Sequence, residues 1–407
     1  MEQHLRAGIV GGGIGGLCLA HALEAQGIAV TVFEQDVSPT FRQQGYRVTI
    51  HESGARHLKN VLPAPLYQEF LDRSYRWKGL RLVDERLRSL ATLDETQIAS
   101  RSIDRMTFRQ ILLSGLADLR FAKAFDRYEE IGDKVRVHLA DGSHEDVDFL
   151  VGADGNNSRL RAQLLPAHAE LHDTGYVDIA ARLPWSAQTQ RIIEALDARS
   201  LLAVSPPTQE TLIILPQIYD GPSEDPYKGY LYWGLVLRRD RLLALTEKLK
   251  DGSELKRAAQ HLVREMAPRL REMVDTTPSD GINLLSFRTS RRHAPWQTSR
   301  VTLIGDAIHS MAPMAGAGAN TAIRDADELA SRLRKVKAGD RSLHDALSEF
   351  ETTMVAYGFD AVEFSQANLL RSTTGSRFSR RFKNNALKLL STFSPRLVTK
   401  MLLQGSV

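Results

Sequence analysis

The chain of 407 residues contains a single cysteine, Cys18, so neither an internal disulfide nor a redox-active cysteine pair can form within it. It also lacks any apolar run long enough to cross a bilayer, which predicts no integral membrane segment. An apolar stretch already begins at Ala7, and we therefore expect no cleaved leader before it. Together these absences favour a cytoplasmic location.

Acidic residues are missing from the C-terminal segment. The whole chain has a net charge of only +4, yet after Glu363 it contains positive charges and no acid. This pattern predicts a helical segment over 351–407 that packs its Leu and Phe side chains on a mildly acidic body. Contact of this basic tail with an anionic surface is the alternative. No nucleic-acid-binding fold accompanies the tail, so we predict no nucleic-acid partner.

A glycine turn with the spacing G-x-G-x-x-G follows the first predicted strand, Ala7–Val10, and precedes a helix predicted over Leu17–Gln26. In such a turn the first two glycines allow a sharp bend and close approach of a pyrophosphate. The third lets the helix pack on the strand, so that the helix N-terminus faces the phosphates. The residues of this turn are Gly11, Gly13, Ile14, Gly15 and Gly16.

A second predicted strand, Ala29–Phe33, ends at Glu34, whose carboxylate can accept hydrogen bonds from ribose hydroxyls. Strand, glycine turn, helix, strand and acid in this order predict a Rossmann-like, dinucleotide-binding α/β domain. The alternative is a glycine-rich turn in an ordinary βαβ unit. The pattern contains no group of residues from which we predict a metal site.

Two later segments also place polar residues after apolar strands. The stretch 149–161 runs into Asp154-Gly155, and Val301–Ile304 runs into Gly305-Asp306, at the strand end where α/β folds bind ligands. A glycine-rich loop then leads into a helix predicted over Asn320–Leu333. Its small residues would let a flat ring lie against the backbone, and the helix N-terminus would stabilise negative charge on it. The loop contains Pro313, Gly316, Gly318, Ala319 and Asn320.

In this order and spacing the three motifs resemble the single-component, aromatic-hydroxylase family of FAD-dependent monooxygenases. Para-hydroxybenzoate hydroxylase is its type case, and tetracycline-inactivating and polyketide-tailoring enzymes are relatives. The resemblance covers about residues 5–350. It implies that the glycine turn and Glu34 hold the ADP half of FAD and that Asp306 binds the ribityl-phosphate region. It further implies that the loop Pro313–Asn320 flanks the isoalloxazine ring and that Asp154 serves both FAD and the nicotinamide cofactor.

The resemblance also singles out four arginines, and position in the sequence adds one histidine. The segment that begins at Asp104 resembles the family's helix start that sends an arginine to the flavin. Arg105 is the first candidate and Arg109 the second, while Arg42 and Arg47 match a loop beside the flavin edge. His309, in the segment that follows Gly305-Asp306, is the nearest titratable candidate for a base that would deprotonate a phenolic substrate, and its alternative role is that of a structural loop residue.

The remaining sequence is assigned to a second domain. The resemblance implies a discontinuous FAD-binding domain of the glutathione-reductase type over 1–75, 100–170 and 281–350. A mixed β-sheet substrate domain is inserted over 76–99 and 171–280, with a helical stretch at about 253–274. Alternating aromatic and apolar residues in its strands are plausible pocket walls, although in a sheet they are more often core. These candidates are Leu215, Gln217, Tyr232 and Trp233.

The activity that the resemblance implies is NAD(P)H-dependent hydroxylation of an aromatic small molecule with O₂, through a flavin C4a-hydroperoxide. In such chemistry the protein mainly positions the substrate and keeps water out of the pocket, and no side chain needs to act as a nucleophile, so we name no catalytic residue. NADPH or NADH would visit as a transient reductant. The alternatives are a flavin-dependent reductase or dehydrogenase on the same fold, and a non-catalytic binding protein of that fold.

Overall fold

The computed structural model describes residues 4–39, 46–198, 201–218, 229–314, 316–394 and 397–398. The chain forms two compact units, each built from separated segments of sequence. Unit 1 consists of Met1–Asp72, Ile103–His172 and Arg288–Gln366. Unit 2 consists of Arg73–Ser102, Asp173–Phe287 and Ala367–Val407.

Strands and helices of the described residues are numbered here in chain order. The strands are β1 (Arg6–Val10), β2 (Ala29–Phe33), β3 (Arg47–Ile50), β4 (Tyr75–Arg76), β5 (Gly79–Val83), β6 (Ser89–Asp94), β7 (Arg101–Asp104), β8 (Leu119–Arg120), β9 (Phe125–Ile131), β10 (Lys134–Leu139), β11 (His144–Val147), β12 (Phe149–Gly152), β13 (His172–Pro184), β14 (Leu201–Val204), β15 (Thr211–Gln217), β16 (Tyr230–Arg238), β17 (Ile282–Thr289) and β18 (Val301–Leu303). The helices are α1 (Ile14–Glu24), α2 (Glu52–Val61), α3 (Ala64–Arg73), α4 (Arg105–Leu113), α5 (Arg159–Leu164), α6 (Ala187–Leu196), α7 (Arg239–Leu243), α8 (Gly252–Val263), α9 (Pro268–Thr276), α10 (Asp306–His309), α11 (Ala317–Lys337), α12 (Leu343–Thr373) and α13 (Arg377–Phe393).

Unit 1 is organised around a parallel sheet with the strand order β18-β12-β1-β2-β8. Its central strands are short and almost wholly apolar, as expected for parallel strands that are covered on both faces. At their carboxyl ends Val10 pairs with Gly152, and Gly152 pairs with Leu303. The segments that follow these three strands therefore leave the sheet at one edge. An antiparallel sheet of β11, β10 and β9 is attached to the same unit.

Helix α1 begins directly after the glycine turn, with Gly13 in extended conformation as its N-cap. It is buried on nearly all sides because it packs between the parallel sheet and helix α11. A Cβ on Gly15 would lie 3.3 Å from the Cβ of Ala322, so a small residue is needed where the two helices meet. The observed helix starts at Ile14, three residues before the predicted start, because Gly15 and Gly16 of the motif already belong to its first turn.

Unit 2 contains a mixed sheet with the strand order β17-β13-β16-β15-β14-β5-β6. Its strand pairs are antiparallel where registers are defined, except that β14 runs parallel to β5. Apolar side chains from one face pack with those of helices α6, α8 and α9 into a core. The parallel sheet, the mixed sheet and the C-terminal helices confirm the predicted α/β class.

Two predicted limits differ from the structure. The helical stretch predicted at about 253–274 is two helices, α8 and α9, because Pro268 lacks the amide hydrogen needed to continue a helix. Pro268 instead occupies the first turn of α9, where no amide hydrogen is required. The C-terminal limit predicted at 350 lies inside α12, which begins at Leu343.

Candidate functional site

A cavity of about 670 Å³ opens in unit 1 where the chain leaves β1, β2 and β12. Open parallel sheets bind ligands at this edge, and the volume is within the range of about 300–1,000 Å³ that small-molecule sites have. Six of the predicted site residues line the cavity: Gly11, Gly13, Glu34, Arg105, Asp154 and Asp306. Lys123 and Asn156 also line it and were not predicted.

The glycines of the turn differ in how much space surrounds their Cα atoms. Gly11 has a φ of 109°, a left-handed conformation that favours glycine, and a Cβ there would overlap the carbonyl of Ala153. A Cβ on Gly16 would overlap the carbonyl oxygen of Gly11. Gly13 differs, because its Cβ would meet no atom nearer than the Ala153 oxygen at 4.0 Å. The backbone at Gly13 is therefore open to a ligand.

The Glu34 carboxylate closes the glycine turn and is held by a buried arginine. Its Oε2 accepts a hydrogen bond of 2.8 Å from the amide of Gly12 and lies 3.2 Å from a guanidinium nitrogen of Arg109. Arg109 also pairs with Asp36 at 3.2 Å and donates from Nε to the carbonyl of Gly12. Arg109 is not among the residues that line the cavity, so its contacts stabilise the acid and the turn behind it.

Arg105 is placed at the cavity by a helix cap. The carboxylate of Asp104 accepts hydrogen bonds from the amides of Met106 and Thr107, which starts α4 with Arg105 as its first residue. Burial lowers the pKa of the Arg105 guanidinium, and the carboxylate of Asp306 opposes that shift. Among the described residues the structure records neither a hydrogen bond nor an ion pair of this guanidinium. Arg105 is therefore a cation available to an anionic ligand.

Two aspartates of the cavity carry carboxylate oxygens with few partners. Oδ2 of Asp154 accepts from the amides of Arg159 and Leu160, whereas Oδ1 is buried without a hydrogen-bond partner among the described residues. Burial raises the pKa of Asp154 and also that of Asp306. A Cβ on Gly318 would lie 3.7 Å from Oδ1 of Asp306, so the start of α11 lies beside this carboxylate. Both aspartates are suited to bind hydroxyl donors of a ligand.

His309 is buried behind Asp306 rather than in the cavity. Its Nε2 lies 2.7 Å from Oδ2 of Asp325, which also accepts a hydrogen bond of 2.7 Å from the amide of Gly305. Tyr357 donates to the other oxygen of Asp325 at 2.7 Å. These contacts fix the Gly305-Asp306 turn on helix α11. Of the two roles considered for His309, the structure supports the structural one.

The loop before α11 is fixed through Asn320. Its Oδ1 accepts from the amide of His51, and its Nδ2 donates to the carbonyls of Thr49 and Gly316. Gly316 has a left-handed φ of 62° at the helix N-cap. Asn320 therefore shapes the loop through its own hydrogen bonds. Pro313 lies in this loop and Ala319 in the first turn of α11, and neither has a side chain that can form a hydrogen bond.

The two arginines predicted beside the flavin edge have different outcomes. Arg42 lies outside the described residues. Arg47 is in β3 and donates a hydrogen bond of 2.9 Å to the hydroxyl of Thr49 on the same strand. Its role toward a ligand stays a prediction.

The four candidate pocket walls of unit 2 lie on two different faces of its sheet. Trp233 is wholly buried in the helix-covered core, where its Nε1 donates to the hydroxyl of Thr277 at 2.9 Å. The pocket role predicted for Trp233 is therefore wrong, because adjacent strand residues point to opposite faces. Leu215 and Tyr232 pack together on the other face, and the buried Gln217 donates to the carbonyl of Ser102 at 3.4 Å.

Asp178 on the same face as Tyr232 was missed. Its Oδ2 accepts a hydrogen bond of 2.8 Å from the Tyr232 hydroxyl, and its Oδ1 is buried without a hydrogen-bond partner among the described residues. Burial raises the pKa of Asp178 to about 7. Gly234 leaves room for this pair, since a Cβ there would come within 2.8 Å of both carboxylate oxygens. A polar residue in the apolar run YVDIAA was the signal that could have identified it.

The cavity residues fit FAD, the cofactor that the sequence resemblance implies. An exposed glycine backbone at a helix N-terminus and the Arg105 guanidinium, which has no recorded ion pair among the described residues, suit a pyrophosphate. The unpartnered oxygen of Asp154 suits a hydroxyl group, as does the Asp306 carboxylate in the same cavity, and Glu34 lies at the end of β2 where a ribose would be bound.

Three comparisons agree with this fit. A family model described as "FAD binding domain" matches residues 4–357. A crystal structure assigned as a FAD-containing monooxygenase from Photorhabdus luminescens is 33% identical, with a TM-score of 0.81, and the match covers 91% of this chain and 98% of that one. A salicylate hydroxylase of Pseudomonas putida is 27% identical over 85% of this chain and 81% of its own length.

A longer relative is a dual O-methyltransferase/FAD-dependent monooxygenase of Cercospora beticola, which is 30% identical over 91% of this chain. The chain spans about half of that relative, 46% of its length. None of the described helices combines the length and the apolar character needed to span a membrane. The family match extends over most of the sequence and includes the strands, turns and helices that form the cavity. The chain belongs to the FAD-binding-domain family whose named relatives include FAD-dependent monooxygenases.

Proposed function

We propose that this chain is an FAD-dependent monooxygenase that uses NADPH or NADH and O₂ to hydroxylate an aromatic or polycyclic small molecule. The observation that carries the proposal is the unit 1 cavity, where the backbone of Gly13, the carboxylate of Glu34 and the guanidinium of Arg105 line one space. FAD, when bound, would supply the redox chemistry by accepting hydride from the nicotinamide cofactor and passing electrons to O₂.

Several residues would hold FAD in this proposal. The turn from Gly11 to Gly16, with Ile14 and Gly15 at the start of α1, would bind the pyrophosphate together with Arg105. Glu34 would bind a ribose, with Arg109 as a positioning residue behind it. The remaining proposed contacts are Arg42, Arg47, Asp154, Asp306, Pro313, Gly316, Gly318, Ala319 and Asn320.

The Asp178–Tyr232 pair would accept a proton from the substrate. A phenol is activated toward electrophilic oxygen when it loses its proton, and a base with a pKa near the working pH does this best. The pKa of about 7 for Asp178 meets that condition, and the half-buried Tyr232 joins this buried carboxylate to the sheet surface. Leu215 and Gln217 lie on the same face of the sheet.

The nature of the substrate is supported by one relative. The Pseudomonas putida protein is named for salicylate, a phenolic acid, and aligns over most of both chains. We therefore place phenolic acids first among the substrates to be tested, with larger aromatic molecules next. A cytoplasmic location is part of the proposal and is supported by the single buried cysteine.

The experiment is turnover under ¹⁸O₂ with the purified chain, FAD, NADPH or NADH, and a panel of phenols that begins with salicylate. We expect a product that gains a single labelled oxygen atom and whose formation consumes the reduced nicotinamide. Product that forms equally well without oxygen would establish the reductase alternative instead. Bound flavin with neither product nor nicotinamide oxidation across the panel would favour the binding-protein alternative.

A further inference from the structure

Helix α13 is anchored to the rest of unit 2 by polar contacts on one of its faces. The buried guanidinium of Arg380 donates hydrogen bonds to the carbonyls of Pro206, Ser372 and Glu210 at 2.9, 2.6 and 3.1 Å. One turn later Asn384 donates from Nδ2 to the carbonyl of Ser205 at 2.9 Å. These bonds fix the rotation of the helix about its axis. The side chains opposite Arg380 are consequently held away from unit 2.

Large apolar side chains occupy that outward face. Phe378, Phe382, Leu389 and Phe393 are 82%, 68%, 60% and 79% exposed. At 3.6 residues per turn these four positions fall within about 60° of arc, roughly opposite Arg380. Single exposed apolar residues need no explanation, but three phenylalanines and a leucine grouped on one face of a fixed helix mark an interaction surface.

Cations border this stripe. Arg381 and Lys388 lie along one edge and Lys383 along the other, and all three are exposed. Among the described residues the structure records no ion pair for any of them. Since the sequence contains no acid after Glu363, the outward face of α13 is apolar at its centre and positively charged at its borders.

The cations beside the stripe favour one of the two partners that could cover it, a second copy of the chain or a lipid surface. A second copy of the chain, paired symmetrically through the same face, would bring Arg381, Lys383 and Lys388 opposite the same cations of its partner. An anionic lipid surface instead places negative headgroups beside the cations while the aromatic rings enter the interfacial layer. Helices that lie in a bilayer interface combine a basic polar face with Phe and Leu on the other.

We propose that α13 docks this protein on the surface of an anionic phospholipid bilayer. The stripe Phe378, Phe382, Leu389 and Phe393 enters the interface, and Arg381, Lys383 and Lys388 contact the headgroups. The helix lies in the plane of the surface and does not cross it. No residue of this surface lines the unit 1 cavity, so the proposal does not rest on the flavin chemistry.

Vesicle flotation of the full chain tests this proposal. The probes are vesicles of phosphatidylcholine alone and of phosphatidylcholine mixed with phosphatidylglycerol, at low and high salt. We expect binding to the anionic vesicles at low salt, weaker binding at high salt, and little binding to the neutral vesicles. Absence of binding to the anionic vesicles would overturn the proposal.

Variants locate the contact. The double variant Phe378→Ser/Phe393→Ser should lose most of the binding, while Ile131→Ser, at an exposed apolar side chain of unit 1, should retain it. Lys383→Glu/Lys388→Glu should weaken binding by at least about tenfold, since each basic residue near an anionic surface contributes about 1 kcal/mol. Flavin content and melting temperature serve as folding controls.

Two further results would contradict the proposal. Equal binding of the wild type and both double variants would place the contact elsewhere. Concentration-dependent self-association in analytical ultracentrifugation that is abolished by Phe378→Ser/Phe393→Ser, without vesicle binding, would identify a second copy of the chain as the occupant.

Discussion

The Nε2 atom of His309 lies 2.7 Å from Oδ2 of Asp325, and neither side chain is exposed to solvent. Burial opposes protonation of His309, but the carboxylates of Asp325 and Asp306 outweigh it, so that the pKa of the imidazole is raised. Because Asp325 also accepts a hydrogen bond from Gly305, this pair connects helix α11 to the turn that carries Asp306 into the cavity.

Asp325→Asn should destabilise the protein by about 3–5 kcal/mol, because it breaks a buried ion pair and leaves His309 uncompensated. The pKa of His309 is higher in the folded protein than in the unfolded chain, where it is about 6.5. The ion pair therefore stabilises the fold fully below about pH 6.5, and this stabilisation is lost as pH rises through the pKa of the folded state. Urea unfolding at about pH 6 and about pH 9 should therefore show a smaller pH effect in the variant than in the wild type. Tyr357→Phe keeps the ion pair and should preserve the wild-type pH effect. Equal pH effects in Asp325→Asn and wild type would refute this role.

Substitution of Arg105 should weaken FAD binding, whereas substitution of Arg109 should lower the stability of the fold. Arg105→Met should weaken FAD binding roughly 10- to 100-fold, the loss of a charge-assisted contact of about 1.5–3 kcal/mol, while thermal stability is retained. Arg109→Met should lower stability by about 3–5 kcal/mol, because Glu34 and Asp36 would lose a buried partner. Fluorescence titration with FAD and thermal melts of the two apoproteins separate these effects. A destabilised Arg105→Met together with a stable Arg109→Met that binds FAD weakly would contradict both assignments.

The glycines of the turn offer a similar contrast. Gly11→Ala should destabilise the fold, because the residue has a left-handed φ and its Cβ would overlap the Ala153 carbonyl. Gly13→Ala should change the free energy of unfolding by less than about 0.5 kcal/mol, since its Cβ enters open space. It should nevertheless reduce FAD affinity, because that space borders the cavity. Unchanged FAD affinity in Gly13→Ala would show that the pyrophosphate is bound elsewhere.

Asp178→Asn should remove a titration from the pH profile of hydroxylation. With the pKa of Asp178 raised to about 7, kcat/KM of the wild type should rise through about pH 7, and the variant should lack this rise. Stability provides a second readout. Because burial disfavours the charged carboxylate, the free energy of unfolding should fall as pH rises from the unfolded pKa of Asp178, about 3.9, to its folded pKa of about 7. At about pH 8 the variant should therefore be at least as stable as the wild type.

Tyr232→Phe is the partner experiment for Asp178→Asn. It removes the hydrogen bond to Asp178 while keeping the ring, and should lower kcat/KM without changing FAD affinity. A profile that keeps the rise near pH 7 in Asp178→Asn would assign that titration to a different group.

The cofactor half of the fold could be predicted because its signals are local. An apolar strand, glycines at fixed spacing and a terminal acid determine β1, α1, β2 and Glu34 within a short segment. The break between α8 and α9 was missed although Pro268 marks it, because the apolar spacing continues on both sides.

The partners of the site residues could not be predicted, because they come from distant parts of the sequence. Nothing near His309 indicates Asp325, which lies 16 residues later in helix α11. The contact of Arg109 with Glu34 joins residues of α4 to the end of β2. Tyr232 and Trp233 look alike in sequence, and only the register of β16 assigns them to opposite faces.

The most direct measurement is the absorbance spectrum of the purified chain, followed by release and identification of its cofactor. We expect a flavin spectrum, release of FAD rather than FMN, and a lower flavin content in Arg105→Met under the same purification. A colourless protein that stays colourless after incubation with FAD would contradict the assignment of the unit 1 cavity to this cofactor.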